Sequence, residues 1–587
     1  MPTFSLPRHV GLALATALLA TTLAGGGAPA QARDVVEPAR SLSGNFLSGY
    51  VAGLARDPAA AATFLREALL DDPANPELME RAFVAFLADG AMGDALRTAE
   101  RMIGIDAQNG LARLALGVGA LRDARFADAL ARFEDGGGGR AADLTATLLA
   151  AWAHAGAREG DAAMAAVDRL AGEPAFEIFR LYHGGLLASF LGRPDEAEER
   201  LAAAYDMQPT ALSIVDAYAR HIARRGRTQE AIGVYEAFLE RIRRHPLAEA
   251  RIAALRAGER PGRPATSIAE GAAEVLYALG SAGNAQGDEM PTIIYLRLAL
   301  HLAPAHEMSL LTLADVFARM DRAQDAILLY EQVDAASPLH VEADIQVANL
   351  LERLDRKAEA ESRLRVLMAE RPDDLEVVTA LANILRVRKQ WTDAADYYTR
   401  ALDLIGEPTP AHWPLFYFRG ASYERAKQWP KAEADLKRAL ELVPEGSSIG
   451  RAQVLNYLGY SWVDMGINIE EAFDMLKEAV ALSPRDGMII DSLGWAYYRL
   501  GRWDDAVREL ERAVELEPAD PVINDHLGDA YWRVGRRLEA RFQWQHALDN
   551  DPEPEEREKI LRKLEVGLED EPAPEAAQAP RTGANGG

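Results

Sequence analysis

Small residues return along this chain at a fixed interval, set among longer apolar and charged ones. Gly49, Phe83, Gly117, Ala151, Gly185 and Ala219 stand 34 residues apart, and Phe83 is the one bulky member. A second run keeps that period through Gly280, Ala314, Ala348 and Ala382, then continues at near-34 or longer spacings through Gly420, Gly459, Gly494 and Gly528. Twelve residues after these fourteen rungs a second small residue follows, from Ala61 and Ala95 to Ala506 and Ala540, with Thr292 and the slipped Ala472 as departures. Two antiparallel helices joined by a short turn approach closely only where the residues at their crossing lack bulk. Each rung and its follower therefore predict one helix hairpin, and a period of this length predicts a stacked array.

The punctuation agrees. Pro73, Pro209, Pro304, Pro338, Pro372, Pro444, Pro484, Pro518 and Pro552 follow the second helix of their units, where a residue without an amide hydrogen ends a helix. Gly90, Gly192, Gly226, Gly466, Gly501 and Gly535 fall in the turn between the helices, where a left-handed backbone suits glycine. Alanine, leucine, glutamate and arginine dominate and aromatics are only 7%, which sets a β-rich fold aside.

The pattern resembles the tetratricopeptide repeat (TPR). The last two units carry it most fully, in Leu493-Gly494, Tyr497, Gly501, Ala506, Leu510, Ala513 and Pro518, and in Leu527-Gly528, Tyr531, Gly535, Ala540, Trp544, Ala547 and Pro552. The resemblance implies an all-α fold, a right-handed superhelical solenoid of about fourteen TPR helix hairpins. Residues 42–244 form a block of six degenerate repeats and 268–552 a block of eight. Between them the rung phase jumps by 61 residues, and 245–267, with Arg260-Pro261-Gly262-Arg263-Pro264, reads as a linker or kink that begins with a short helix. Residues 553–568 are expected to form an amphipathic capping helix, and the Pro-, Ala- and Gly-rich 569–587 a disordered tail.

The N-terminus changes the picture of where the protein acts. Arg8 and His9 precede an apolar stretch from Val10 to Leu23, and Ala30-Gln31-Ala32 has the small-x-small pattern of a signal-peptidase site. Residues 1–32 are thus expected to be a cleaved signal peptide, the mature chain starting at Arg33 in the periplasm. The apolar stretch is shorter than the roughly 20 residues a membrane span requires, so no direct membrane span is expected. Gly26 stands where a lipidated cysteine would follow Leu23-Ala24-Gly25, which sets lipid tethering aside. The formal charge of −26 opposes a general grip on nucleic acid, and with no cysteine the chain has neither disulfides nor thiolate metal sites.

Tests for chemistry come out negative. Gly446-Ser447-Ser448-Ile449-Gly450 spells a nucleophile elbow, yet a repeat helix rather than a strand precedes it. Gly117-Val118-Gly119 is already used as a rung, and Gly136 to Gly139 lacks the lysine of a phosphate loop. The eleven histidines show no zinc spacing. No catalytic residue, metal or cofactor is expected.

What remains is a binding surface. The resemblance implies that first helices line a concave groove through residues three before, one after, four after and five after each rung. In the last four units these places hold Tyr417, Asn456, Tyr460, Asp491, Trp495, Tyr498, Arg499, Asp525, Asp529, Trp532 and Arg533. Arg319, Arg353 and Arg425 repeat the fifth-after place further up. Aromatics and arginines mixed with carboxylates grip polypeptide by stacking and charge-assisted bonds, although some of these aromatics could instead pack adjacent repeats. The expected partners are proteins or peptides, and the expected role is a non-catalytic periplasmic scaffold. More narrowly, Asn456-Tyr457-Leu458-Gly459-Tyr460 and Asp491-Ser492-Leu493-Gly494-Trp495-Ala496 resemble exported repeat adaptors that present substrates to a carboxyl-terminal-processing protease. The alternative is a structural component of an envelope assembly or polymer export system.

Overall fold

A computed structural model describes residues 38, 41–134, 140–242, 244–285, 287 and 289–568. The expected leader 1–32, the run Gly136 to Gly139 and the tail 569–587 lie outside the described residues. Thirty α-helices and no strand occur among the described residues. Twenty-eight of the helices form fourteen antiparallel pairs, from Leu42–Leu54 with Pro58–Asp71 to Pro521–Arg533 with Arg537–Asp549. The other two are Pro246–Arg256 and Pro554–Val566.

Local chemistry explains the boundaries. Asn75, Asn109, Asp374, Asp486 and Asp520 each stand one residue ahead of a first helix and accept a hydrogen bond from an amide of its opening turn. Seven residues after every one of the fourteen rungs the backbone is left-handed, with φ between 55° and 87°. Seven of these residues are glycine; the other seven, Arg56, Ala124, Arg158, Asp321, Asp355, Lys389 and Lys427, adopt the same turn despite a Cβ.

The rung is small for a more specific reason than helix crossing alone. A Cβ on Gly185 would lie 2.6 Å from Leu201 Cγ, and one on Gly494 2.6 Å from Leu510 Cγ. The leucine sixteen residues on fills the space. The small follower, twelve residues on or thirteen at the slipped Ala472, lets its backbone approach: Ala432 O would lie 3.2 Å from a Cβ on Gly420 and Ala472 O 3.1 Å from one on Gly459.

The chain divides into two compact units, Met1–Val366 and Leu367–Gly587. In the first, residues 245–267 do not simply separate two blocks. Helix Pro246–Arg256 packs on the second helix of the sixth repeat, Thr228–Ile242. The following stretch is pinned by arginines of helix Leu212–Arg224: Arg220 Nε donates to Gly262 O at 3.2 Å and Arg224 Nη1 to Pro261 O at 3.0 Å. Arg263 Nη1 in turn donates to Phe190 O at 3.3 Å.

The chain thus turns back, and the seventh hairpin, Ile268–Ala285 with Glu289–Leu302, lies against first helices of repeats two to five. Tyr182 donates to Glu274 at 2.8 Å, Arg297 Nε donates to Ala88 O at 3.2 Å, and the Thr145 and Tyr295 hydroxyls are 3.1 Å apart. Gly271 sits flat on the Trp152 ring. Val275, Leu276, Ile294, Leu298 and Leu302 share one core with Phe86, Val118 and Trp152.

The second unit holds repeats ten to fourteen and the final helix, Pro554–Val566. That helix packs on Arg537–Asp549, and its Ile560 is buried in one cluster with Tyr531 and Trp544. Among the described residues no helix is long and apolar enough to cross a membrane.

Candidate binding surface

First helices of the last four repeats place the eleven candidate residues, and none of them is fully exposed. Tyr417 lies in an aromatic cluster, its ring 5.6 Å from Tyr457, 5.2 Å from Phe418 and 6.0 Å from Trp413. Burial pushes its hydroxyl up to about 12. Tyr417 therefore welds two repeats together. Arg499 Nη1 donates to Asp464 O at 3.1 Å and Arg353 Nη1 to Ala318 O at 3.2 Å, each a carbonyl at the end of the preceding first helix. Arg319 bonds Asn284, and Arg425 lies over the Trp391 ring. The fifth-after arginines are staples between repeats.

Repeats twelve to fourteen are different, because polar groups converge there. Asp491, 4% exposed, faces His526 Nδ1 at 2.9 Å. Burial works against a charge on that imidazole, but the Asp491 carboxylate prevails and holds its pKa above the ordinary value. Trp495 is stacked between His526, with ring centres 4.1 Å apart, and Tyr498, at 4.7 Å. Arg533 Nε donates to the Tyr498 hydroxyl at 3.1 Å. Tyr460 is half-buried, and burial, then the Asp491 charge, raises its hydroxyl pKa.

Asp525 and Asp529 meet a cation from the final helix. Lys563 Nζ donates to Asp525 Oδ2 at 2.7 Å and to Asp529 Oδ2 at 2.8 Å. Burial and the neighbouring Asp525 carboxylate push the Asp529 carboxyl up to about 6, against the pull of Lys563. Asp529 Oδ1 also accepts from Trp544 Nε1 at 2.9 Å. Trp532 packs 5.3 Å from Trp544, under the Arg537 guanidinium, and Gly567 lies directly on its indole. Three buried polar atoms of this face have no hydrogen-bond partner among the described residues: Asn456 Oδ1, Trp495 Nε1 and Asp525 Oδ1. No group of three His, Asp or Glu side chains among the described residues is arranged to hold a metal ion.

The repeat identity is decided by family models. One described as TPR repeat matches residues 494–535, and one described as tetratricopeptide repeat matches 184–246 and 379–447. The chain carries tetratricopeptide repeats. Its TPRs are similar to those of a TPR repeat-containing protein of Pseudomonas aeruginosa, 30% identical over 173 residues, which is 29% of this chain and 27% of that relative. Among solved structures, the TPR chain is similar to one of the APC/C hetero-tetramer Cut9-Hcn1, with 14% identity and a TM-score of 0.34 over 78% of this chain and 96% of that one. It is also similar to YrrB, described as a TPR protein with an unusual peptide-binding site, at 20% identity and a TM-score of 0.25 over 34% of this chain and 97% of that one.

Two partners in the TPR surface escape the repeat register. His526 stands two places before its rung, off the four groove positions, and Lys563 belongs to no repeat. A signal for Lys563 existed: it stands three after Ile560 and one before Leu564, on the apolar side of a helix that follows a groove bearing Asp525 and Asp529. In the first unit the TPR first-helix face of repeats two to five is already covered by the seventh hairpin. Ser448 opens helix Ser448–Met465 after the helix Trp429–Leu442, so no strand delivers it as a nucleophile.

Proposed function

We propose that this TPR protein is a non-catalytic scaffold that holds a polypeptide segment on the first-helix face of repeats twelve to fourteen. The observation that carries this reading is the set of three buried, unpartnered polar atoms beside stacked aromatics: acceptors at Asn456 and Asp525 and a donor at Trp495. A buried polar atom left unpaired costs about 1–3 kcal/mol, which a ligand's amides and carbonyls can recover. A polypeptide offers both kinds of group at short intervals.

The proposed place of action is the periplasm, supported by the Arg8 to Ala32 pattern. The finer proposed role is to present substrates to a carboxyl-terminal-processing protease, supported by the segments around Asn456 and Asp491 quoted above. The test is capture of periplasmic proteins by the chain starting at Arg33, repeated with Trp495→Ala and Trp532→Ala. Loss of the captured proteins in both variants is expected; recovery unchanged by either substitution refutes the surface assigned here. Co-recovery of a peptidase supports the finer role, and recovery of export-channel proteins alone refutes it.

A further inference from the structure

The final helix does more than cover the end of the last repeat. Its Lys563 is 16% exposed and reaches two carboxylates that are themselves 10% and 7% exposed at the side chain. Burying charges this deeply is tolerated only when they are paired. The match is nonetheless incomplete. Lys563 uses two of its three donors on Asp525 Oδ2 and Asp529 Oδ2, while Asp525 Oδ1 stays buried and unpartnered, with Asp525 only 7% exposed overall. Burial opposes the charge on Lys563, but Asp529 and Asp525 more than offset this and hold the ammonium charged.

The other attachments of the helix are few: Arg541 Nη1 donates to Leu564 O at 2.6 Å, and Leu564 is partly buried against the cluster of Tyr531 and Trp544. Ile560 is its one fully buried side chain, and the Glu553–Lys389 ion pair, 2.9 Å long, is largely exposed at both ends. Leu561 and Val566 face solvent. The helix is joined to the repeats through Asp551, with φ 50°, and Pro552.

Resting on the scaffold reading above, we propose that the pocket of Asp525 and Asp529 is an anchor subsite for a lysine side chain of a partner polypeptide, and that the final helix is its resident, exchangeable occupant. The ligand class follows from the geometry. Two carboxylate oxygens converge on one nitrogen, which suits a compact ammonium on a long stem better than the planar fork of arginine. Ile560 and Leu564 flank the ammonium on one helix face, so the partner carries an apolar residue three before and one after its lysine. The partner meets the same pocket and, with a different approach, can also satisfy Asp525 Oδ1.

The probe is a fluorescein-labelled peptide of residues 551–568, added to full-length chain carrying Ile560→Ser and Lys563→Glu, a pair that repels the resident helix. Hydrogen exchange is expected to show lost protection over 554–566 with Pro521–Arg533 still protected. Fluorescence anisotropy is expected to show at least tenfold tighter peptide binding than to the native chain. Alanine at the lysine corresponding to Lys563 in the peptide, or Asp525→Asn with Asp529→Asn in the chain, should each weaken that binding at least tenfold. Retained protection over 554–566 overturns the proposal, as does absence of binding to the released chain. Binding that is indifferent to the lysine but lost with Trp495→Ala overturns the lysine anchor while leaving the scaffold reading standing.

Discussion

Gly271→Ala is the sharpest test of the returned hairpin. In an isolated helix, replacing glycine by alanine stabilises by about 0.5–1 kcal/mol, because alanine loses less backbone entropy. Here an added Cβ would lie well inside contact distance of the Trp152 indole, which is 1% exposed and packed 5.6 Å from Phe190. Overpacking of that kind costs about 1–3 kcal/mol, so the net effect on the native chain should be destabilisation of up to about 2 kcal/mol. With Trp152→Ala the indole is gone, and the same glycine substitution should revert to its stabilising sign. The two residues stand 119 positions apart in sequence, so a coupling of about 1–3 kcal/mol between them has no local explanation. The assay is hydrogen exchange of helices Arg140–Gly156 and Ile268–Ala285 in the four-membered cycle, where about 1.4 kcal/mol reads as a tenfold change in protection. If Gly271→Ala stabilises equally with and without Trp152, the hairpin does not dock where the structure places it.

Two further predictions concern single residues. Ala124 has φ 55° at a turn where seven of the fourteen repeats carry glycine, so Ala124→Gly should stabilise the third repeat by up to about 1 kcal/mol, read as slower exchange of helix Gly110–Arg122. His183 is 1% exposed, neither ring nitrogen has a hydrogen-bond partner among the described residues, and burial lowers its pKa to about 4 despite the nearby Glu274 charge. The folded chain therefore binds fewer protons than the unfolded chain between about pH 6.5 and pH 4. The stability associated with this group is complete above pH 6.5 and falls by about 3 kcal/mol as pH drops through that window. Exchange of helix Glu177–Phe190 should accelerate accordingly, and His183→Leu should remove that dependence; an unchanged pH profile in the variant refutes the assignment.

Much of the fold was legible because its contacts are local and periodic. A rung and the left-handed turn seven residues on recur in every pitch, and in six of the fourteen repeats a leucine stands sixteen residues after the rung, so each repeat announces the same hairpin. The left-handed place was visible only where glycine filled it, since Arg158 or Lys389 in that position carries no compositional signal. Residues 245–267 read as a linker because proline and arginine break the phase. Their destination depends on backbone bonds from Arg220 and Arg224, which no spacing encodes. The docking of the seventh hairpin rests on one-off pairs such as Gly271 with Trp152 and Arg297 with Ala88. At the candidate surface, period-based reasoning located residues of the first-helix face but could not separate those that keep unpaired polar atoms from inter-repeat staples. Tyr417 and Arg499 occupy groove positions and are spent on neighbouring repeats, whereas Asn456, Trp495 and Asp525 keep unpaired atoms.

In each unit a helix of the same chain meets first helices, yet the two differ in how firmly they can be held. The returned hairpin contributes Val275, Leu276, Ile294, Leu298 and Leu302 to the core of the first unit, all at most 6% exposed. At about 1.5–3 kcal/mol per fully buried side chain, that amounts to a stabilisation on the order of 10 kcal/mol before entropy is charged against it. The final helix fully buries Ile560 alone, adds partly buried Leu564 and one bond from Arg541 to Leu564 O, and places one ammonium between two carboxylates, an arrangement whose attraction is largely cancelled by desolvation. Ordering its thirteen residues costs about 1–2 kcal/mol each in backbone entropy, offset mainly by the helix's own hydrogen bonds. The final helix should therefore open with a free energy several kcal/mol smaller than the hairpin, and its amides should exchange at least a hundredfold faster than those of Glu289–Leu302. Equal protection in the two would mean that the final helix is as permanent as the hairpin, and the surface beneath it would then be closed to any partner.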